Sequence, residues 1–280
     1  MTVDAANWIQ LQGAVNARDV GGLPTSDGRT VRTGVLIRSA SLGHLTEADV
    51  RHLVGDLGVR RVVDLRTDVE VDRDGPGALH DQPDVVVHHL SLYPDALGVT
   101  DHAELPAGPR TDRTDPLPWQ GERLATGHSP VVAAYLRYLE QRPDSVVAAL
   151  RAIAEPDGAT LVHCAAGKDR TGMVVALALA VAGVPREVIA ADYSHTQSQI
   201  EAIVDHLARS DLYGFEVGQP DKIPPASAPV MVAVLEAIDA ELGGVLAWLA
   251  GHGWTGADTD RLRAKLLGER PDDDPGAVGD

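Results

Sequence analysis

The residues most able to do chemistry stand together in one string, His163-Cys164-Ala165-Ala166-Gly167-Lys168-Asp169-Arg170-Thr171-Gly172. It holds a thiol, two cations, a carboxylate and two glycines within ten positions. An apolar stretch, Thr160 to His163, precedes it, and an alanine-rich apolar stretch to Ala182 follows. The first reads as a short strand and the second as a buried helix. A loop between a strand and a helix can aim several backbone N–H groups at an anion and add the positive end of a helix dipole. A phosphate lodged there faces Cys164 at one end and Arg170 at the other.

Each residue then has a physical task. The thiolate is the nucleophilic form of cysteine, and loop amides, a helix N-terminus and a nearby guanidinium all favour it. Arg170 offers a planar fork for two phosphate oxygens and for the charge of the transition state. Gly167 permits close backbone approach or positive φ. The Thr171 hydroxyl can donate to the cysteine sulfur and help it leave. Asp169 can protonate a leaving oxygen and then activate water, or it can hold Arg170 or Lys168 by a salt bridge. Free cysteines are commonly buried and inert, and a cysteine six residues before an arginine is a weak signal alone. The whole string is the stronger one.

The elements that must position this loop follow from the rest of the chain. Thr46 and Asp49 form an N-terminal helix signature, with a helix expected to about Leu57. Val59 to Leu65 and Val85 to Leu92 read as strands. Helices are expected over Val131 to Gln141, Ser145 to Ala154, Arg186 to Leu207, Val230 to Leu249 and Asp258 to Leu267, with Gly183 and Pro185 punctuating the chain. Alternating strands and helices predict an α/β layer architecture. Residues 94–130 carry five prolines after Pro94 and show no period; this stretch reads as an irregular insertion, either a lid or a floppy loop. The domain expectation is one domain over 1–270 and a disordered acidic tail over 271–280.

Composition narrows the partners. The chain has 280 residues, a net charge of -17, one cysteine and three lysines. One cysteine excludes an internal disulfide framework and fits a reducing compartment. The acidity disfavours nucleic acid and anionic membranes, so a phosphate needs a local positive site. No basic-then-apolar leader opens the sequence, and the longest apolar run is too short to span a bilayer. A soluble, cytoplasmic protein is expected, without membrane insertion. His88 and His89 lie on a strand candidate and point to opposite faces. With no convincing metal spacing elsewhere, neither metal nor cofactor is expected.

The string His163 to Gly172 resembles the signature loop of protein tyrosine phosphatases, and Gly167 to Gly172 is similar to the atypical bacterial branch of that family. The resemblance extends to Asn16-Ala17-Arg18-Asp19-Val20-Gly21-Gly22, to Ile37-Arg38-Ser39-Ala40-Ser41-Leu42, and to Asp64-Leu65-Arg66 with Glu70. It implies a central, mainly parallel sheet flanked by helices, with the loop at a strand's C-terminal end, where open α/β sheets bind ligands. It implies a phosphocysteine intermediate on Cys164, stabilisation by Arg170 and Thr171, and Asp169 as general acid; Asp95, Asp101, Asp112 and Asp115 are the alternatives for that role. It implies phosphotyrosine, phosphoserine, phosphothreonine or phosphoinositide substrates. Ala165, Ala166, Gly167, Lys168, Arg18 and Asp19 are expected around the bound phosphate. Lys168 is read either as rim charge favouring highly charged substrates or as an exposed loop lysine. His163, Arg38, Asp64 and Arg66 are expected to brace the loop, with buried structural ion pairs the other reading of Asp64 and Arg66. Ala165 departs from the family, where a bulkier side chain is common. Three alternatives stay open: the same chemistry on a small phosphorylated metabolite, an idle phosphate-binding module, and rhodanese-type sulfur transfer.

Overall fold

The computed structural model describes residues 6–94, 127–210, 212 and 223–268. The irregular stretch at 95–126 and the acidic tail lie outside the described residues.

Six strands form one sheet: β1 (Asn7–Trp8), β2 (Arg18–Asp19), β3 (Leu36–Ser39), β4 (Val59–Asp64), β5 (Val86–His89) and β6 (Ala159–His163). Their spatial order is β1-β2-β3-β6-β4-β5. The pairs β3–β6, β6–β4 and β4–β5 are parallel, while β1–β2 and β2–β3 are antiparallel. The sheet is therefore mixed, with a parallel core and a short antiparallel edge. Register aligns the strand ends: Ser39 and Asp64 both pair with His163, and Asp64 pairs with His89. The segments leaving β3, β4 and β6 thus emerge side by side.

Period-two alternation sends neighbouring side chains to opposite faces. Ile37, Val62 and Leu161 join a smaller core with Leu53 and Val59. Leu36, Val63 and Val162 face the larger core, built with helices α3 (Pro130–Gln141), α4 (Pro143–Ala154) and α5 (Asp169–Ala182). Helix α5 is buried nearly all round, as its apolar run from Met173 to Ala182 requires. Gly183 ends it at φ 87°.

Thr46 caps α1 (Glu47–Arg51) through a full capping box with Asp49, and the chain continues as a π turn over His52–Asp56. Thr67 and Glu70 build the same device at α2 (Asp68–Asp74). Two expected long helices are broken. Arg186 to Leu207 divides into α6 (Arg186–His195), a 3₁₀ turn (Thr196–Gln199) and α7 (Ile200–Leu207). Val230 to Leu249 divides into α8 (Ala228–Leu242) and α9 (Val245–Gly251), because Gly243 and Gly244 both take positive φ. The chain then forms α10 (Gly256–Leu267). Among the described residues, no helix is long and apolar enough to cross a membrane.

Candidate active site

Strand β6 delivers Cys164 to the aligned strand ends, and α5 begins five residues later. The intervening loop is tied down from three directions. Ser41 N–H donates to the Ala165 carbonyl at 2.9 Å. Asn16 Nδ2 donates to the carbonyls of Ala166 and Gly167, each at 3.1 Å, and Arg38 Nη2 donates to Gly167 O at 3.0 Å. All these bonds take carbonyl oxygens. The amides of residues 165–170 donate to no protein acceptor among the described residues. Pinned carbonyls and free amides are what a loop that receives an anion needs.

Gly167 has φ +65°, and a Cβ there would lie 2.4 Å from the Ser39 carbonyl oxygen. Both conformation and space require glycine at this position.

Arg170 is 4% exposed. Its Nη1 donates to Glu70 Oε2 and, at 3.2 Å, to Leu65 O; its Nη2 donates to Glu70 Oε1 at 2.8 Å. A guanidinium carries five N–H bonds. Three are used, which leaves Nε–H and one Nη2–H, adjacent donors on one edge of the fork. Burial works against the charge of Arg170, but Glu70 outweighs it and holds the guanidinium protonated far above its usual range. Tyr93 lies over the same group, its ring centre 5.3 Å from Cζ.

Lys168 is 1% exposed, neither on the rim nor in solvent. Its Nζ bonds Asp169 Oδ1 at 2.8 Å. Burial lowers its affinity for a proton, but Asp169 more than offsets this, with smaller contributions from Tyr193 and the Cys164 sulfur. Cys164 is itself buried, and its negative form stabilises the positive charges of both Lys168 and Arg170. Thr171 is fully buried, and its hydroxyl has no hydrogen-bond partner among the described residues; the bond to sulfur expected of it is not formed.

Arg18 and Asp19, expected around the phosphate, lie elsewhere. Arg18 is wholly buried, and its donors go to Asp192, Asn16 Oδ1 and Thr196 Oγ1. Asp19 accepts from the amides of Gly21 and Gly34, at the opposite end of β3 from the loop. Arg38 does brace the loop, and it shares Asp192 with Arg18. Burial opposes the charge on Asp192, but the two arginines hold its carboxyl down at about 2. Asp64 and Arg66 form a buried ion pair at 2.6 Å, and Arg66 also donates to Gly75 O. This pair organises the turn after β4. His163 lies 3.7 Å from Asp64, beyond hydrogen-bond reach, and burial lowers its pKa to about 4. It is therefore a neutral packing group under the loop.

Sequence reasoning did not find Asp192, Tyr135 or Tyr193 as site residues. It included Asn16 and Glu70 in motifs but gave them no role of their own.

A cleft elsewhere, between β5 and α4, carries Arg61, His88, Arg151 and His252. Its Arg61 donates to Asp157 O, and its Arg151 donates to Asp258 and to Gly253 O.

The tyrosine phosphatase family matches residues 9–268, which include every part of this loop and its supports. The chain belongs to the tyrosine phosphatase family. It is similar to the triple specificity protein phosphatase PtpB of Mycobacterium tuberculosis, at 32% identity over 92% of this chain and 99% of that protein. A tyrosine-protein phosphatase of Nostoc commune is 30% identical over 87% of this chain and 78% of its own length. A putative tyrosine-protein phosphatase of Cupriavidus necator is 32% identical over 82% and 78%. As a family member the chain is a phosphoric monoester hydrolase, and its substrate is phosphorylated.

Proposed function

We propose that this phosphatase works through a phosphocysteine on Cys164. The thiolate attacks phosphorus in line while the free amides of 165–170 and the remaining Arg170 fork hold the equatorial oxygens. Asp169 gives a proton to the leaving oxygen, and water then hydrolyses the thiophosphate ester. Most of the rate enhancement is positioning and electrostatic preorganisation.

The observation that carries this reading is the donor count on Arg170. Glu70 and Leu65 take three N–H groups and leave two side by side, a match for two phosphate oxygens. Proteins phosphorylated on tyrosine, serine or threonine, and phosphoinositides, are the proposed substrates. The name of the mycobacterial relative supports breadth of specificity. Residues 1–270 are taken as one phosphatase domain, working without metal in the cytoplasm.

The test is hydrolysis of p-nitrophenyl phosphate, with EDTA present, by the wild type and by Cys164→Ser. Activity that survives EDTA and disappears in the variant is expected. Equal activity in the two proteins would sink Cys164 as the nucleophile.

A further inference from the structure

Asp169 is held unequally. Its Oδ1 receives Lys168 Nζ at 2.8 Å and stands 3.0 Å from Tyr135 Oη. Its Oδ2 takes no hydrogen bond among the described residues, and the side chain is 39% exposed. Tyr135 Oη is also 2.9 Å from Tyr193 Oη. A phenol has one proton to give, and a carboxylate can only accept. Tyr135 Oη is placed as donor to both Asp169 Oδ1 and Tyr193 Oη, and its one proton goes to the stronger acceptor, the carboxylate.

Both phenols are 1% exposed, and their rings meet edge to face at 6.4 Å. Burial, with the charge of Asp169 added, keeps both rings un-ionised. The pair is also locked from below. Gly172 sits against the Tyr193 ring, where a Cβ would lie 3.0 Å from two ring carbons. A buried chain of two hydroxyls thus ends on one oxygen of a carboxylate whose other oxygen faces outward.

We propose that Tyr135, held by Tyr193, is a positioning residue for proton transfer by Asp169. It fixes Oδ1, so that Oδ2 is the oxygen that carries the proton to the leaving group. This rests on the reading of Asp169 as general acid. In the step concerned, the S–P bond forms as the P–O bond breaks, and the proton on Oδ2 passes to the departing oxygen. Lys168 alone does not fix the carboxylate, because a single ammonium contact leaves it free to turn about that point. The second donor, from a rigid ring on α3, removes that freedom.

The measurement is kcat/KM for a series running from p-nitrophenyl phosphate through less acidic phenols to an alkyl phosphate. The wild type, Tyr135→Phe, Asp169→Asn and the double variant are compared. An acidic phenol leaves without help, whereas an alcohol needs the proton. Tyr135→Phe keeps the ring and its packing. It is expected to lower kcat/KM about 10-fold on the alkyl phosphate and less than about 3-fold on p-nitrophenyl phosphate. The double variant should match Asp169→Asn, since a positioning residue has nothing left to position. Tyr138→Phe, one turn along α3 with its hydroxyl on Tyr93, should not change the dependence on leaving group. A steeper dependence in Asp169→Asn but a wild-type one in Tyr135→Phe would overturn the inference and leave the acid assignment standing. A wild-type dependence in Asp169→Asn would remove the acid assignment, and the inference with it, while Cys164 would still stand or fall on its own test.

Discussion

Two buried carboxylates flank the loop that starts at Cys164, and they use the same ion pair for opposite ends. On the α6 side, Asp192 binds Arg18 and Arg38. On the α2 side, Glu70 binds Arg170. Both carboxylates are nearly or wholly inaccessible. The arginines differ in what remains. Arg18 spends its donors on protein acceptors, and Arg38 reaches the loop only through the Gly167 carbonyl. Arg170 keeps two adjacent N–H groups. Arg38 also keeps unused donors, its buried Nε among them, so leftover donors distinguish Arg170 only together with its place in the loop itself.

The sharpest way to break the comparison is to remove each anion in turn. Asp192→Asn leaves two buried guanidiniums with no countercharge, and is expected to cost about 3–5 kcal/mol of stability by urea denaturation. Activity per folded molecule should change far less. Glu70→Gln should show the reverse. It keeps the side-chain shape but loses the charge that aims Arg170, and kcat/KM on an aryl phosphate should fall about 10²–10³-fold. Equal stability losses in both variants would show the two pairs to be the same device.

Acid sharpens the contrast. His163 and His206 protonate only near pH 4 when folded, chiefly because burial disfavours the cation. The unfolded chain takes those protons from about pH 6.5. Protons therefore favour the unfolded state between those values, and the urea midpoint should drop as pH falls from 6.5 to 4. Asp192, with its folded value near 2, keeps its stabilisation until pH passes below the unfolded value of about 3.9 and loses it toward 2. His206→Gln should flatten the first fall and spare the second. The smallest effect belongs to Asp19→Asn. It touches only two turn amides, so less than about 1 kcal/mol of stability and no change in kcat/KM are expected.

The loop itself was legible because Cys164, Asp169 and Arg170 are neighbours in sequence. So were the strand before it and the helix after it, from their unbroken apolar character. The double break at Gly243-Gly244 was missed, although two consecutive glycines inside a helical pattern are a stop signal. The break at Thr196 carries no such signal. It contains neither glycine nor proline, and Thr196 is buried as an acceptor for Arg18, a tertiary contact that periodicity cannot carry. Glu70 and Arg170 stand 100 residues apart, and Arg18 and Asp192 stand 174 apart. Their pairing follows from the β3-β6-β4 order of the sheet, which no local pattern encodes. Arg18 and Asp19 lie within a family motif, yet the antiparallel pairing of β2 with β3 turns one into the braced interior and the other toward the far end. Tyr135 and Tyr193 read as ordinary core aromatics until their hydroxyls are traced.

The first turn of α2 has a further consequence. Glu70 Oε2 accepts both the Thr67 backbone N–H, at 2.6 Å, and Arg170. One oxygen thus closes a helix cap and sets the Arg170 guanidinium. The helix–coil equilibrium of that single turn and the anchoring of Arg170 are then coupled, and amide exchange at Thr67 would report on both.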